Sequence, residues 1–252
     1  MAIYIVTHKK YNIPNLNGYR TIQVGAALHD DLGYLKDSDG DNISEKNPNY
    51  CELTALYYIW KNCKEDVVGL VHYRRYFCTK KTIHPSKYIL SYDHAIQFLK
   101  KYDIILPYKM YRQGKTLRED YAAAHNIKDY DICRDVIGEK YPDYLNAFDK
   151  VSAQKTLYQY NMLICKKELF DSYCQWLFDI LFEVERRVDI RKYDVYNQRI
   201  FGFLSERLFN VWLEYKQLNV KKCEVYNIED SLAQLLKANL KNVIKPIVGV
   251  ER

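Results

Sequence analysis

The sequence predicts an α/β fold: one domain with a central, mainly parallel sheet flanked by helices. Three observations carry this. Short apolar runs end in polar clusters, helical periodicities separate those runs, and 252 residues at 48% hydrophobic content suffice for one sizeable core.

Ile3 to Thr7 is a β-rich run that delivers Thr7-His8-Lys9-Lys10 at its C-terminal end, where open α/β sheets bind ligands. Residues 12–49 are rich in Asn, Gly, Asp and Pro, so much of this stretch reads as functional loop, with order as strand or helix expected only at Thr21–Leu28. A helix starts at Asn47-Pro48, a capping residue followed by a first-turn proline. It runs to about Asn62 with Leu53, Leu56, Tyr57 and Trp60 on one face. Val67–Val71 is a continuous apolar run of the kind found in central parallel strands, and it empties into His72-Tyr73-Arg74-Arg75-Tyr76-Phe77.

A helix from about Ser91 to Lys101 leads into a strand at Asp103–Pro107, closed by its proline. Residues 108–158 are irregular and rich in Tyr, Asp and Lys, consistent with short helices over a binding cleft. Met162–Cys165 reads as a further strand. Two helices follow. One spans about Glu168 to Arg187, with an apolar stripe from Leu169 to Val184, and one lies near 201–215, turning Phe201, Leu204, Leu208, Val211 and Trp212 inward. The domain is drawn at 1–227. Within 228–252, Leu232, Leu235, Leu236, Leu240, Val243 and Ile244 recur at helical spacing beside Lys237, Lys241 and Lys245. That amphipathic tail suits a membrane interface, or docking on the domain or on a second subunit, so a homo-oligomer stays open.

Composition narrows the function classes. No run of about 18 apolar residues occurs and the N-terminus lacks the blocks of a signal peptide, so a cytoplasmic protein, or one peripheral to the inner membrane face, is expected. Seven cysteines without a C-x-x-C pair argue for reduced thiols rather than a disulfide framework or zinc knuckle. The net charge of +6 suits an anionic partner. The basic residues are dispersed and no standard nucleic-acid motif is present, so nucleic acid is not the expected partner.

His72-Tyr73-Arg74-Arg75 is the most informative tetrapeptide, because guanidiniums at a strand end are fork-shaped donors matched to phosphate oxygens. Strand geometry sends Arg74 and Arg75 to opposite faces unless the chain turns, and pairing with rim carboxylates is the structural alternative. Asp37-Ser38-Asp39-Gly40-Asp41-Asn42 has the look of a cation loop, yet an EF-hand needs Glu where Lys46 stands, so a solvated acidic turn is the simpler reading. Nucleophile elbows, P-loops and dinucleotide fingerprints are missing, and the histidines lack metal-ligand spacing.

Beyond these local readings, residues 1 to about 215 resemble the bacterial domain of unknown function 4422, a family of capsular and exopolysaccharide loci treated as glycosyltransferases. The resemblance rests on Ile3–Lys9, Gly40–Ser44 with Lys46-Asn47, Tyr50–Thr54, Gly69–Phe77, Asn161-Met162, and Arg199 with Gly202–Leu208.

The resemblance implies a GT-A-like layout, and with it a glycosyltransferase that moves a hexose from a nucleotide diphosphate donor, by inversion, to a lipid-linked or oligosaccharide acceptor. UDP is the expected carrier and galactose, pyranose or furanose, the expected sugar. In GT-A enzymes a D-x-D metal site usually follows a central strand. Here His72-Tyr73-Arg74-Arg75 stands in that place, which implies cationic side chains at the diphosphate and no obligatory metal. A manganese or magnesium ion at Asp37/Asp39/Asp41 is the alternative. Arg74, with His72, is assigned to the leaving diphosphate. Thr7, His8, Lys9, Asp39, Asp41, Asn42, Glu52, Arg75 and Arg199 are assigned to the donor, and Glu206 to the catalytic base, with Asp39, Asp41 and Glu52 as substitutes. A non-catalytic scaffold of a polysaccharide assembly complex is the competing function.

Overall fold

The computed structural model describes residues 2–240, with side chains to residue 236. The chain opens with β1 (Ala2–Thr7), β2 (Tyr19–Gln23) and β3 (Leu35–Lys36), then α1 (Asn47–Tyr50) and α2 (Leu53–Asn62). Next come β4 (Val67–His72), β5 (Arg75–Cys78), α3 (Tyr92–Leu99), β6 (Ile104–Pro107) and β7 (Met110–Tyr111). Helices α4 (Leu117–Ala124), α5 (Ile127–Lys140) and α6 (Leu145–Ala153) precede β8 (Thr156–Leu157) and β9 (Leu163–Lys166). The long helices α7 (Lys167–Arg187) and α8 (Ile200–Lys216), β10 (Val220–Asn227) and α9 (Leu232–Leu240) complete it.

β1 is buried throughout because it pairs in parallel with β2 on one edge and β4 on the other, with side chains covered on both faces. Its alternation shows in the packing. Ala2, Tyr4 and Val6 join the larger core, with α2 and α4 to α8, while Ile3 and Ile5 join a smaller one that includes Ala95 and Leu99 of α3. The protein is therefore α/β, with helices on both faces of one sheet.

The sheet is mixed rather than mainly parallel. Parallel pairing holds for β1–β2, β2–β3, β1–β4 and β6–β10, whereas β4–β9, β6–β9, β5–β10 and the β4–β5 junction are antiparallel. Gly69 of β4 makes the antiparallel half possible. A Cβ there would stand 2.7 Å from Ile164 Cγ1 and 3.1 Å from the Leu163 carbonyl oxygen of β9.

Local sequence explains three helix starts. Ser91 caps α3, Asn126 caps α5, and Thr116 with Glu119 forms a capping box on α4. The helix expected across 47–62 is two helices, broken where Cys51 takes φ 52°. Strands β5 and β10 were not legible as strands, and 108–158 resolves into three helices and a small β7–β8 ribbon.

All seven cysteines are free thiols. α9 starts at Leu232, and Leu232 and Leu236 are exposed. The stripe positions from Lys237 onward, including Leu240, Lys241, Val243, Ile244 and Lys245, lie outside the residues whose side chains are described. Among the described residues no helix is long and apolar enough to cross a membrane.

Candidate functional site

A cleft of about 540 Å³ opens at the C-terminal ends of β1 and β4. Thr7 and His8 lie on its wall, and the Thr7 hydroxyl turns the chain by donating to the Lys9 carbonyl at 2.6 Å. His72 closes β4 and pairs directly with Arg75 of β5, so the backbone reverses within Tyr73-Arg74. The Tyr76 hydroxyl donates to the Tyr73 carbonyl at 3.2 Å and secures the corner. Because the chain turns there, Arg74 and Arg75 line the same cleft instead of facing apart. The Arg75 guanidinium lies 4.5 Å from the Tyr160 ring centroid, and Arg74 lies over Tyr73 at 4.9 Å while donating through Nη1 to Glu229.

The opposite wall comes from the α1–α2 break and from α8. Cys51, Tyr160 and Asn161 all take positive φ (52°, 79° and 51°), so backbone conformations unfavourable for non-glycine residues gather at this cleft. Gly202 of α8 permits the approach, since a Cβ there would sit 3.2 Å from Cys51 Sγ. Arg199 donates through Nε to that sulfur at 3.2 Å, and burial pushes the Cys51 thiol up to about 11.

Two carboxylates converge here. Glu52 Oε1 accepts from Asn161 Nδ2 at 2.9 Å, and the same amide donates to Ser205 Oγ at 2.9 Å. Glu206 Oε1 accepts from the Tyr160 backbone N–H at 3.0 Å, and its Oε2 from Arg207 Nη1 at 3.3 Å. Burial raises the Glu206 carboxyl above its ordinary range against the pull of Arg207, and nearby Glu52 adds to the rise. Arg207 also donates to Asp120 at 2.9 Å, and Arg112 binds Asp120 from the other side at 2.9 Å.

The two histidines at strand ends are tuned toward neutrality. His72 Nε2 donates to the Tyr160 carbonyl at 2.6 Å, which leaves Nδ1 as an acceptor, and burial lowers its proton affinity, with Glu52 opposing. Burial does the same to His8, helped by Lys9 and Arg74. The cleft's fixed positive charge therefore comes from guanidiniums.

A second, smaller chamber of about 230 Å³ adjoins the cleft and shares Cys51, Glu52, Arg199 and Glu206 with it.

Of the residues singled out from sequence, Thr7, His8, Glu52, His72, Arg74, Arg75, Arg199 and Glu206 come together in the cleft. Lys9 stands beside it, its ammonium 5.5 Å from the Tyr73 ring centroid. Asp39, Asp41 and Asn42 are not on the wall. Asp41 accepts from the Tyr57 hydroxyl at 3.1 Å, and the Asn42 amide ties the loop to the Ser38 and Gly40 carbonyls at 2.8 Å. Asp37 is fully buried and committed to the Gly25 and Ala26 N–H groups (2.9 and 3.0 Å) and the Ser44 hydroxyl. Asp37 is thus spent on the fold's own donors, and among the described residues no three His, Cys, Asp or Glu side chains converge to hold a metal ion. Cys51, Tyr160, Arg112 and Asp120 were missed. Tyr160, Arg112 and Asp120 sit in stretches without clean periodicity, Cys51 sits inside an expected helix with no sign of the break there, and only folding carries them to the site.

These strand-end arginines and the α8 carboxylate lie within segments shared with a known family, whose profile matches residues 2–217. The chain belongs to the family of the domain of unknown function DUF4422. No curated protein matches it. Among solved structures, the apo structure of the WbbM bifunctional glycosyltransferase is similar, with TM-score 0.85 and 30% identity. The match covers 91% of this chain and 45% of that one, so this DUF4422 chain spans less than half the length of that protein.

Proposed function

We propose that this protein is a glycosyltransferase that moves a hexose from a nucleoside diphosphate donor to a hydroxyl of a glycan acceptor. The observation that carries the reading is the meeting, in one strand-end cleft, of Arg74, Arg75 and Arg199 with Glu206, a carboxyl made more basic by burial. Similarity in fold to a bifunctional glycosyltransferase supports it.

The chemistry follows from the charges. The acceptor oxygen forms a bond to the anomeric carbon and gives its proton to Glu206. The bond from that carbon to the β-phosphate oxygen breaks, and its electron pair leaves with the diphosphate. Arg74 and Arg75, held in advance by the β4–β5 corner, meet the charge that develops there. His72 fixes the Tyr160 loop through its carbonyl, and the Tyr160 N–H fixes Glu206, so the β4 end and the base are one hydrogen-bonded unit.

A uridine-diphosphate hexose, with galactose in either ring form, is the proposed donor, inversion the proposed outcome, and a lipid-linked or oligosaccharide glycan at the inner membrane face the proposed acceptor. Incubating the purified protein with a panel of UDP-hexoses and short glycan acceptors tests this. Acceptor-dependent release of UDP, lost in a Glu206→Gln variant that still binds UDP, is the expected result. UDP binding without turnover by any donor would favour a scaffold.

A further inference from the structure

We infer that the smaller chamber beside the cleft binds the acceptor, and that it is built for an uncharged sugar ring. This rests on the transferase reading and assigns the second substrate of the same site. Glu206 sits at the junction, on the walls of both the open cleft and the chamber. A base that takes a proton from the acceptor must touch the acceptor hydroxyl, and that oxygen must reach the anomeric carbon from the side opposite the departing diphosphate. Arg74 and Arg75, the proposed diphosphate groups, line the cleft and are absent from the chamber wall, so the acceptor belongs on the chamber side of Glu206.

The chamber's charges and rings define what enters. Its carboxylates are Glu52, Asp120 and Glu206, and its guanidiniums are Arg112, Arg199 and Arg207, three against three. Four of them pair: Arg112 and Arg207 grip Asp120, and Arg207 also reaches Glu206, while Arg199 donates to Cys51 Sγ and Glu52 accepts from Asn161. Such a lining offers donors and acceptors to hydroxyl groups without an excess charge for a uronate or phosphate. On one flank Phe203 stacks on His125 at 4.1 Å, and the Tyr196 ring stands 5.1 Å from Phe203. Tyr196 is exposed, which leaves part of an aromatic face open to the apolar C–H face of a sugar.

Saturation-transfer NMR on the full chain, with saturating UDP, tests the assignment using methyl β-D-galactopyranoside, methyl β-D-glucopyranoside and methyl β-D-glucuronide. The two neutral glycosides are expected to bind and the glucuronide to be excluded. Tyr196→Ala should weaken neutral glycoside binding about tenfold, the scale of one aromatic contact, while Tyr196→Trp restores it. UDP affinity, measured by calorimetry, should not change in either variant. Glycoside binding unaffected by Tyr196→Ala, a preference for the glucuronide, or a parallel loss of UDP affinity would overturn the chamber assignment. Absence of UDP binding in the unaltered protein would instead sink the transferase reading, and the acceptor assignment with it.

Discussion

Arg74 donates through Nη1 to Glu229 Oε2 at 3.0 Å, so the arginine proposed to meet the diphosphate is tethered to a carboxylate from beyond β10. The same carboxylate accepts from the Tyr11 hydroxyl at 3.2 Å. Both side chains of the pair are partly exposed, so the contact adds little stability, and its effect falls on ligand binding. Arg74→Ala is expected to raise the transfer barrier by about 2.7–4 kcal/mol, roughly 10²–10³ in rate, the scale of one lost preorganised donor. Glu229→Gln should tighten UDP binding by removing a competing anion. Kinetics, calorimetry and thermal melts check both. An Arg74→Ala melting temperature that falls with the rate would make the residue structural.

Glu206→Gln keeps an oxygen for the Tyr160 N–H and removes the base. The rate should fall by about 10²–10⁴, with UDP affinity retained. Because burial raises the Glu206 carboxyl, the proposed transfer by the unaltered protein should show a rising limb of rate with pH as this group ionises, and the variant should lose that limb. The stability consequence has the opposite sense. A carboxyl that holds its proton more tightly when folded makes the fold less stable as pH rises through the interval from its unfolded value to its folded one. Glu206→Gln should therefore be relatively more stable above that interval than below it, and melts at pH 4 and pH 8 read the difference directly.

His72 carries the reverse sign. Its proton affinity is lowered in the fold, so the stability from the neutral ring is complete above the ordinary imidazole value of 6.5 and declines as pH falls below it. Gln can also donate to the Tyr160 carbonyl. His72→Gln should then lose less stability between pH 7 and pH 5 than the unaltered protein, with His8 and His125 contributing equally to both. Identical acid profiles in urea unfolding would contradict this.

Asp37 should behave as a staple of the loop after β2. Asp37→Ala strands the Gly25 and Ala26 N–H groups, at a cost of about 1–3 kcal/mol for each buried donor left unpaired. Asp39→Ala and Asp41→Ala should leave turnover at the unaltered level, and excess chelator should do the same. Inactivation by chelator with recovery on adding manganese would return this loop to the site.

The parts legible in the sequence were those set by local pattern. Apolar runs at Ile3–Thr7 and Val67–His72 read as buried strands, and their polar ends line the candidate cleft. The stripe of α7 and the family-like segment around Glu206 were equally local. What lies across long separations was not legible. The parallel reading holds only in part, because β9 pairs with β4 and β6, and β10 with β5, in antiparallel ladders that no periodicity announces, and β10 is half-exposed and rich in Lys. The acidic loop drew attention as a run of carboxylates, yet only folding reveals that Asp37 is satisfied by backbone donors. Arg112, Asp120 and Tyr160 became site residues in the same way, brought to Arg207 and Glu206 from 46 to 95 positions away in sequence. Which segments are buried and where fixed positive charge gathers follow from residue order alone, because hydrophobic periodicity and side-chain chemistry are local properties. The tertiary structure decided which carboxylates face that charge and which merely hold the fold, because burial and hydrogen-bond partners exist only once distant segments pack.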